Sequence, residues 1–397
     1  MSTSTDHKDV SSPSPWLTEY FSYFPTNLSF IKLGVAGLEM VTLKYRSGSD
    51  LGFAGTECLG SSSPGWLAFI SPDLGTITLV NPFTQKSTDN HYHATPPLVK
   101  LPPATTLPDA NVLVKRGWAI EERYSMGEYF SGFVHNIVWS SNPMSPDCTV
   151  MVIYGPYGMV AFCRPGDKSW STYPLYRDGG CMQLAYSNKK KLFYARGGER
   201  NAFDCWDLRN PSCPKMVHRF YHPSCHATYE ECTELGYGLI LEYLVESLGD
   251  ILLVVRYIGL HTPPIKTLRF DVFKVDPEHE KLVTKVECLG DRVLFLGQKQ
   301  SFSVSARDFP ELKPNSIYFT HDQEYSPGEY EVLVMDRYIH EHEIHSQKLF
   351  DKTHKYDFDA GIYSLEDASI TALALGDKKD DIHLYPPGSW VIPFPHA

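Results

Sequence analysis

The sequence lacks any long apolar run. No stretch of about eighteen apolar residues occurs along the chain, and a membrane-spanning helix needs about 20 of them. The opening residues, Met1–Val10, have neither the apolar core of a secretory signal nor the arginines of a transit peptide. We therefore expect no membrane span and a location in the cytoplasm or the nucleus.

Paired cysteines and basic runs are also scarce. Nine cysteines are scattered without a Cys-x-x-Cys pair, so we expect free thiols in a reducing compartment. The 36 Lys and Arg residues are outnumbered by 47 Asp and Glu residues, which gives a formal net charge of −11. Nucleic-acid binding needs a basic surface that neutralises phosphates. The acidic balance therefore argues against a nucleic-acid partner.

The motifs of several enzyme classes are missing. The sequence contains no Gly-x-Ser-x-Gly nucleophile turn, and Gly197-Gly198 is not followed by the Lys-Ser/Thr of a phosphate-binding loop. We therefore predict no cofactor and no catalytic residues. These absences favour a binding protein over an enzyme.

What the sequence does contain is a repeated β unit. Two glycine–aspartate turns, Gly249-Asp250 and Gly290-Asp291, are followed by the apolar runs Ile251–Val255 and Val293–Leu296. The turns lie about 40 residues apart, a period typical of β-propeller blades, which bury their faces by stacking around a ring. The sequence therefore predicts an all-β fold, a single β-propeller.

Apolar hairpins at this spacing continue along the chain. Counting them predicts about six four-stranded blades, or seven if strands are hidden in the segments Leu101–Gly132 and Leu333–Tyr356. We assign residues 15–397 to the propeller and the Ser- and Pro-rich residues 1–14 to a disordered tail. Because an open ring would leave an uncovered blade, we expect closure by pairing of Pro15–Leu17 with Trp390–Ile392.

The apolar pattern also predicts which side chains are buried. Alternation along Thr267–Val272 places Leu268, Phe270 and Val272 inward and the other three side chains outward. Four tryptophans occupy comparable points in the hairpins, and we expect them to lie between blades: Trp66, Trp139, Trp170 and Trp206.

A series of short segments, in order along the chain, matches one known domain family. These segments are Cys58–Leu67, Leu79–Thr84, Ala161–Trp170, Tyr243–Ser247, Arg269–Lys274, Leu289–Gly297, Ser301–Val304, Asn315–Thr320 and Pro386–Trp390. Together they resemble the plant KIB-type β-propeller, a domain of unknown function that is associated with the F-box. The resemblance covers most of the chain from Pro15 onward.

The resemblance implies a non-enzymatic protein-interaction module similar to the substrate-binding half of a plant F-box protein. Family members with a full architecture carry an F-box before the propeller, and that small helical module docks the Skp adaptor of a cullin ubiquitin ligase. Only Met1–Ser14 precede the match here. We therefore expect no F-box, no Skp adaptor and an unidentified protein partner.

Two segments depart from the blade rhythm and are candidates for partner binding. Leu101–Gly132 contains Trp118, Arg123 and Tyr129, and exposed aromatic and Arg side chains dominate interface energies. Leu333–Tyr356 is rich in charge and histidine. Loops that do not hold the ring together are free to carry recognition, so we predict that partners contact these segments.

Two chemical alternatives remain open. On a strand, His340 and His342 would share one face and, with His345, could hold a metal ion; a solvated charged loop explains the same residues, and we predict no metal. The second alternative is a hydrolase or lyase with its active site at the mouth of the propeller channel. It requires carboxylates or imidazoles that converge on the innermost strands.

Overall fold

The computed structural model describes residues 15–18, 27–34, 37–44, 56–62, 65–71, 75–83, 96–108, 133–155, 157–172, 180–197, 202–210, 213–221, 231, 237–259, 266–279, 282–297, 299–320, 359–373 and 390–392. Their regular structure is almost entirely strand, with a 3-10 turn at Ala104–Thr106. No helix within these ranges is long and apolar enough to cross a membrane.

The strands follow one another closely along the chain. The first eleven are β1 (Trp16–Thr18), β2 (Asn27–Gly34), β3 (Gly37–Lys44), β4 (Glu57–Gly60), β5 (Leu67–Ile70), β6 (Ile77–Val80), β7 (Leu98–Lys100), β8 (Val134–Trp139), β9 (Val150–Tyr154), β10 (Met159–Cys163) and β11 (Ser171–Thr172). The next eight are β12 (Cys181–Ser187), β13 (Leu192–Gly197), β14 (Ala202–Asp207), β15 (Lys215–Tyr221), β16 (Tyr237–Ser247), β17 (Asp250–Gly259), β18 (Lys266–Val275) and β19 (Val283–Lys285). The last six are β20 (Arg292–Leu296), β21 (Phe302–Ser305), β22 (Ser316–Phe319), β23 (Gly361–Ser364), β24 (Ile370–Ala372) and β25 (Trp390–Val391).

These strands form sheets with the organisation of propeller blades. Five sheets have four antiparallel strands: sheet 1 is β25-β1-β2-β3, sheet 2 is β4 to β7, sheet 3 is β8 to β11, sheet 4 is β12 to β15, and sheet 5 is β16 to β19. Sheet 6 has five strands in the order β21-β20-β22-β23-β24, and its β20–β22 pair is parallel. The fold is therefore an all-β propeller. The prediction of six or seven four-stranded blades is corrected to five within the described residues, because sheet 6 departs from the four-stranded antiparallel form.

The core lies between neighbouring sheets, as stacked blades require. Separate clusters of buried side chains join sheets 2 and 3, 3 and 4, 4 and 5, 5 and 6, and 6 and 1. The four tryptophans expected between blades, Trp66, Trp139, Trp170 and Trp206, are all buried in these clusters. That prediction is confirmed.

The edge strands of successive sheets meet around a ring. β4 contacts β8, β8 contacts β12, β12 contacts β16, and β16 contacts β21. The Cys181 amide at the start of β12 donates to the carbonyl of Gly158 at 2.8 Å. Gly158 precedes β10 at the end of sheet 3 where β8 begins, since Tyr154 pairs with both Met159 and Val134. Ser187 Oγ at the end of β12 donates to the carbonyl of Gly249, just beyond β16, at 2.7 Å. β8, β12 and β16 thus run in one direction; the face where they begin is termed the upper face, and the opposite one the lower face.

The ring closes through the two ends of the propeller. β1 pairs with β25, with Trp16 opposite Val391 and Leu17 opposite Trp390. Trp390 Nε1 then donates to the carbonyl of Leu296 in sheet 6 at 3.0 Å, and the Gly65 amide donates to the carbonyl of Ile392 at 2.8 Å. Sheet 1 is thereby tied to both of its neighbours, and the predicted closure is confirmed.

Candidate partner-binding face

The residues predicted for recognition and metal binding lie outside the described residues. Trp118, Arg123 and Tyr129 fall between β7 and β8 in the chain, and His340, His342 and His345 fall between β22 and β23. Their roles stay predictions. The structure does describe the residues that flank both segments.

A single buried side chain holds the two flanks of the first segment. Tyr154 Oη donates to the carbonyl of Pro108 at 3.1 Å. The Tyr154 ring also lies 5.9 Å from the ring of Phe133, whose carbonyl accepts the Gly155 amide at 2.8 Å. Tyr154 is fully buried, and this one side chain contacts both Pro108 and Phe133. The described flanks of residues 109–132 are therefore joined through one side chain.

A buried side chain also contacts both flanks of the second segment. It is Arg256, which is 1% exposed. Its Nη1 donates to the carbonyl of Thr320 at 2.9 Å, and its Nη2 donates to Asp359 Oδ2 at 2.9 Å. These two residues are the last before and the first after residues 321–358. One guanidinium thus ties together both flanks of this segment.

The buried ion pair is well satisfied by neighbouring groups. Asp359 Oδ2 also accepts from the amide and the Oγ1 of Thr267, at 2.9 and 2.7 Å. Arg256 Nε donates to Thr267 Oγ1 at 2.8 Å, and the guanidinium carbon lies 4.7 Å from the Phe319 ring centroid. A buried pair is stable only when further hydrogen bonds of this kind offset its desolvation. The hydrogen-bonded network of Arg256, Thr267 and Asp359 therefore joins sheet 5 to both flanks of the second segment.

Tyr154 and Arg256, the two side chains that contact the segment flanks, both lie toward the upper face. Tyr154 ends β9 and is paired with Val134, the first residue of β8. Arg256 lies near the end of β17 and is paired with Leu241, toward the start of β16. Because β8 and β16 begin at the upper face, the described flanks of the two atypical segments lie on the same side of the ring.

Two exposed apolar side chains lie at the upper face near Tyr154. Tyr157, in the turn after β9, is 61% exposed, and Met182, the second residue of β12, is 52% exposed. The backbone beneath them is tightly apposed: a Cβ at Gly158 would lie 2.3 Å from the carbonyl oxygen of Cys181, and one at Gly180 would lie 2.2 Å from that of Tyr157. Only glycine fits either position, so the turn is held firmly on β12.

The sequence reasoning missed Tyr157 and Met182. Tyr157 had a local signal in Gly155-Pro156-Tyr157-Gly158, a turn that leaves its side chain at a hairpin tip. Met182 had none, because it lies in an apolar strand run and its exposure follows from a register shift between Cys181 and Gln183.

The described residues of this face offer little for catalysis or metal binding. Burial raises the pKa of the Cys181 thiol to about 12, so it is not a thiolate at pH 7. Nowhere in the described ranges do three or more His, Cys, Asp or Glu side chains form a group that could hold a metal ion. Asn136 Nδ2 in β8 donates to the carbonyl of Lys299, which lies between β20 and β21, at 2.9 Å.

Comparison with known proteins identifies plant relatives. The chain is 26% identical to the putative F-box protein At4g17565 of Arabidopsis thaliana over 43% of each chain. It is 26% identical to the F-box protein At1g69090 of the same plant over 50% of each, and 25% identical to its putative F-box protein At5g55150 over 58% of this chain and 59% of the relative. The chain thus spans about half the length of the curated relatives it matches.

Two further comparisons concern the fold and the family. A functionally unknown protein from Desulfotomaculum acetoxidans aligns with 69% of this chain and 79% of its own at 10% identity, but its TM-score of 0.32 is too low to support a conclusion. The family model of the KIB1-4 β-propeller, in contrast, matches residues 38–363, which is most of the chain. With its stacked four-stranded sheets and its F-box relatives, the chain belongs to the KIB1-4 β-propeller family.

Proposed function

We propose that this chain is a non-enzymatic protein-interaction propeller that binds a partner protein through its upper face, similar to the substrate-binding half of a plant F-box protein. The observation that carries the proposal is the pair of buried side chains that contact the flanks of the two atypical segments. Tyr154 and Arg256 each contact both flanks of an atypical segment, and the described flanks of both segments lie on one side of the ring. A rigid ring that carries long connections on one face has the organisation of a recognition surface.

The first segment supplies the anchors. Trp118 and Tyr129 bring large apolar area with a polar tip, and Arg123 can make paired hydrogen bonds to a carboxylate. Tyr157 and Met182 lie next to the point where this segment leaves the ring and extend the apolar surface available to a partner.

The second segment adds pH-sensitive contacts. His340, His342 and His345 are interspersed with Glu341 and Glu343, and histidine changes charge between about pH 5 and 8. We propose that these residues contact the partner as a charged loop, without a metal ion, and that partner affinity changes over this pH range. Metal content of the dialysed protein, measured by elemental analysis, distinguishes the two roles.

We further propose that the ring has six blades, with sheet 6 as the sixth. The contact of β21 with β16 supports this, since it places β21 in the series of edge strands that surround the axis. A location in the cytoplasm or the nucleus also belongs to the proposal. It is supported by the described cysteines, which are all free thiols.

The test is partner capture from plant tissue, followed by replacement of Trp118, Arg123 and Tyr129 together by Ala. We expect loss of the captured protein with unchanged circular dichroism. The matched control replaces Met144, Leu248 and Arg307 by Ala; these are exposed residues of lower-face turns. Capture that survives the first triple variant, or that is lost equally in both, contradicts the proposal.

The same preparation tests the other expectations. Stoichiometric Skp and cullin subunits would overturn the expectation that this chain works without the Skp adaptor. The hydrolase or lyase alternative stays a prediction, and no arrangement in the described residues specifically favours it.

A further inference from the structure

Two exposed methionines lie on opposite faces of the propeller. Met182 in β12 is 52% exposed, and Met144, in the turn after β8, is 62% exposed. The other methionine side chains that the structure describes are buried or partly buried: Met151, Met159 and Met216. Met182 lies at the upper face, where β12 begins, and Met144 lies at the lower face, where β8 ends. Both thioethers are therefore accessible to a small oxidant dissolved in water.

The exposure of Met182 results from a β-bulge in an inner strand. Cys181 pairs with Gly197 and Gln183 pairs with Arg196, so Met182 has no residue opposite it in β13. A bulge re-aims the side chain of the extra residue. Cys181, directly before it, is only 4% exposed. The bulge therefore presents the methionine to solvent and keeps the neighbouring cysteine inside.

Met182 has an exposed aromatic neighbour. The Cys181 amide donates to the carbonyl of Gly158 at 2.8 Å. Tyr157 directly precedes Gly158, and Met182 directly follows Cys181. This one bond brings the two side chains to neighbouring positions on the upper face, where Tyr157 is 61% exposed. A protein that covers this apolar surface would also cover the Met182 thioether.

Methionine and cysteine differ in what oxidation requires. Cysteine reacts as the thiolate, and burial raises the pKa of the Cys181 thiol to about 12. A thioether has no proton to lose, so its oxidation depends on access and not on ionisation. The sulfur of β12 that an oxidant reaches is therefore that of Met182.

We propose that Met182 is an oxidative modification site whose oxidation by a peroxide weakens partner binding at the upper face. The peroxide transfers one oxygen atom to Met182 Sδ. The sulfur loses two electrons, an S–O bond forms, the O–O bond breaks, and hydrogen peroxide is reduced to water. Methionine sulfoxide reductases reverse the change. This proposal rests on the proposed function, because it regulates the same face.

The sulfoxide changes what Met182 can contact. It places a polar oxygen, a hydrogen-bond acceptor, where the reduced side chain offers only apolar surface. A partner that packs on this surface leaves the oxygen buried and unpaired, so we expect affinity to fall by about tenfold.

The first experiment treats the full chain with hydrogen peroxide and locates each sulfoxide by peptide mass spectrometry. A thiol reductant added afterwards reverses reversible cysteine oxidation. We expect Met182 and Met144 to be oxidised at comparable rates, whereas Met151, which is 1% exposed, stays reduced. Oxidation of Met182 that is no faster than that of Met151 would overturn the proposal.

The second experiment measures the affinity of the partner captured from plant tissue for the oxidised chain. Met182→Leu and Met144→Leu are a matched pair, since leucine has a similar volume and no sulfur to oxidise. Peroxide should weaken binding by the wild type and by Met144→Leu, and leave Met182→Leu unchanged. Treatment with a methionine sulfoxide reductase should restore the wild type. Equal binding by oxidised wild type and oxidised Met182→Leu would overturn the proposal.

The triple variant of Trp118, Arg123 and Tyr129 separates the two proposals. If this variant loses the partner while oxidation of Met182 has no effect on the wild type, only the oxidation proposal fails. If the partner is retained both by the triple variant and by the oxidised wild type, the proposed function fails as well.

Discussion

Tyr154 donates a hydrogen bond from its buried hydroxyl to the carbonyl of Pro108, 46 residues earlier in the chain. This bond and the contact of the same ring with Phe133 are what fix the two flanks of the first atypical segment. Four consequences of these and related contacts can be measured.

Tyr154→Phe removes the hydroxyl and keeps the ring. We expect a loss of about 1 kcal/mol in unfolding free energy, the usual worth of one hydrogen bond. Trypsin should also cut faster at Lys115 and Arg116, because one flank of their segment is released. The control is Tyr318→Phe, which removes a hydroxyl bonded to the amide of Lys313. Faster cutting at Lys115 and Arg116 in both variants would contradict a specific role for Tyr154.

Arg256→Met leaves Asp359 with an uncompensated buried charge. We expect a loss of about 3–5 kcal/mol, measured by chemical denaturation. The double variant Arg256→Met, Asp359→Asn should recover part of this loss, since the unpaired carboxylate is gone. Arg209→Met breaks an exposed pair with Asp207, and water already screens such a pair, so we expect a much smaller loss than for Arg256→Met. An Arg256 variant as stable as the Arg209 variant would show that the buried network does not stabilise the propeller.

Deletion of residues 386–397 removes β25 and reopens the ring. We expect a loss of at least about 3–5 kcal/mol, the range for removing a buried Trp side chain, together with aggregation through the exposed blade. Deletion of residues 393–397 keeps Trp390 and Val391 and is the matched control. A monomeric 386–397 deletion variant with an unchanged melting temperature would place closure elsewhere.

Glu246 makes stability depend on pH. Burial raises the pKa of its carboxyl above the usual value, against the lowering effects of the Gly249 amide and Arg292, while Asp250 adds to the rise. A raised pKa in an acid means that folding disfavours the charged form. Its destabilising effect is therefore absent below the unfolded pKa of about 4.3 and complete above the folded value.

Glu246→Gln should thus leave stability unchanged near pH 3.5 and increase it at pH 7. Denaturation with urea at the two pH values measures the difference. Glu278→Gln, at an exposed side chain, controls for the loss of one negative charge. A gain for Glu246→Gln that is equal at both pH values would rule out the protonation explanation.

The sequence predicted the parts of the fold that depend on period and spacing. Trp66 and Trp139 lie between sheets because each sits in an apolar run buried by a neighbouring sheet. Closure through Trp390 followed from the need to cover the last blade. Such features depend on local pattern and on the demand that the ring close, and both can be read from residue types.

The prediction for β18 was wrong at three of six side chains. Leu268 is 43% exposed, whereas Thr267 and Asp271 are buried. A register shift between Tyr257 and Ile258 breaks the alternation, and Thr267 bonds to Asp359, 92 residues away in the chain. Period-two reasoning assumes an unbroken register, so it could not anticipate a bulge stabilised by so distant a partner.

The candidate site was predictable only in part. Composition pointed to Leu101–Gly132 and Leu333–Tyr356 as segments outside the blade rhythm, and their anchors Trp118, Arg123 and Tyr129 stay predictions. The roles of Tyr154 and Arg256 were not predictable. Tyr154 lies in an apolar strand run and looks like an ordinary core residue, and Arg256 is an isolated charge in such a run whose partners the sequence does not identify. Their partners are set by the stacking of sheets, which local sequence does not encode.

The pairing of β1 with β25 also constrains how the protein is made. Residues 16–18 leave the ribosome first among the described strands, yet their partners at 390–391 come last. Sheets 2 to 5 are each formed from one continuous stretch of chain and can assemble during synthesis, since domains and their parts fold as they emerge. Sheet 1 cannot be completed until residues 390–391 have been synthesised, so β1 lacks its final neighbour while sheets 2 to 5 form.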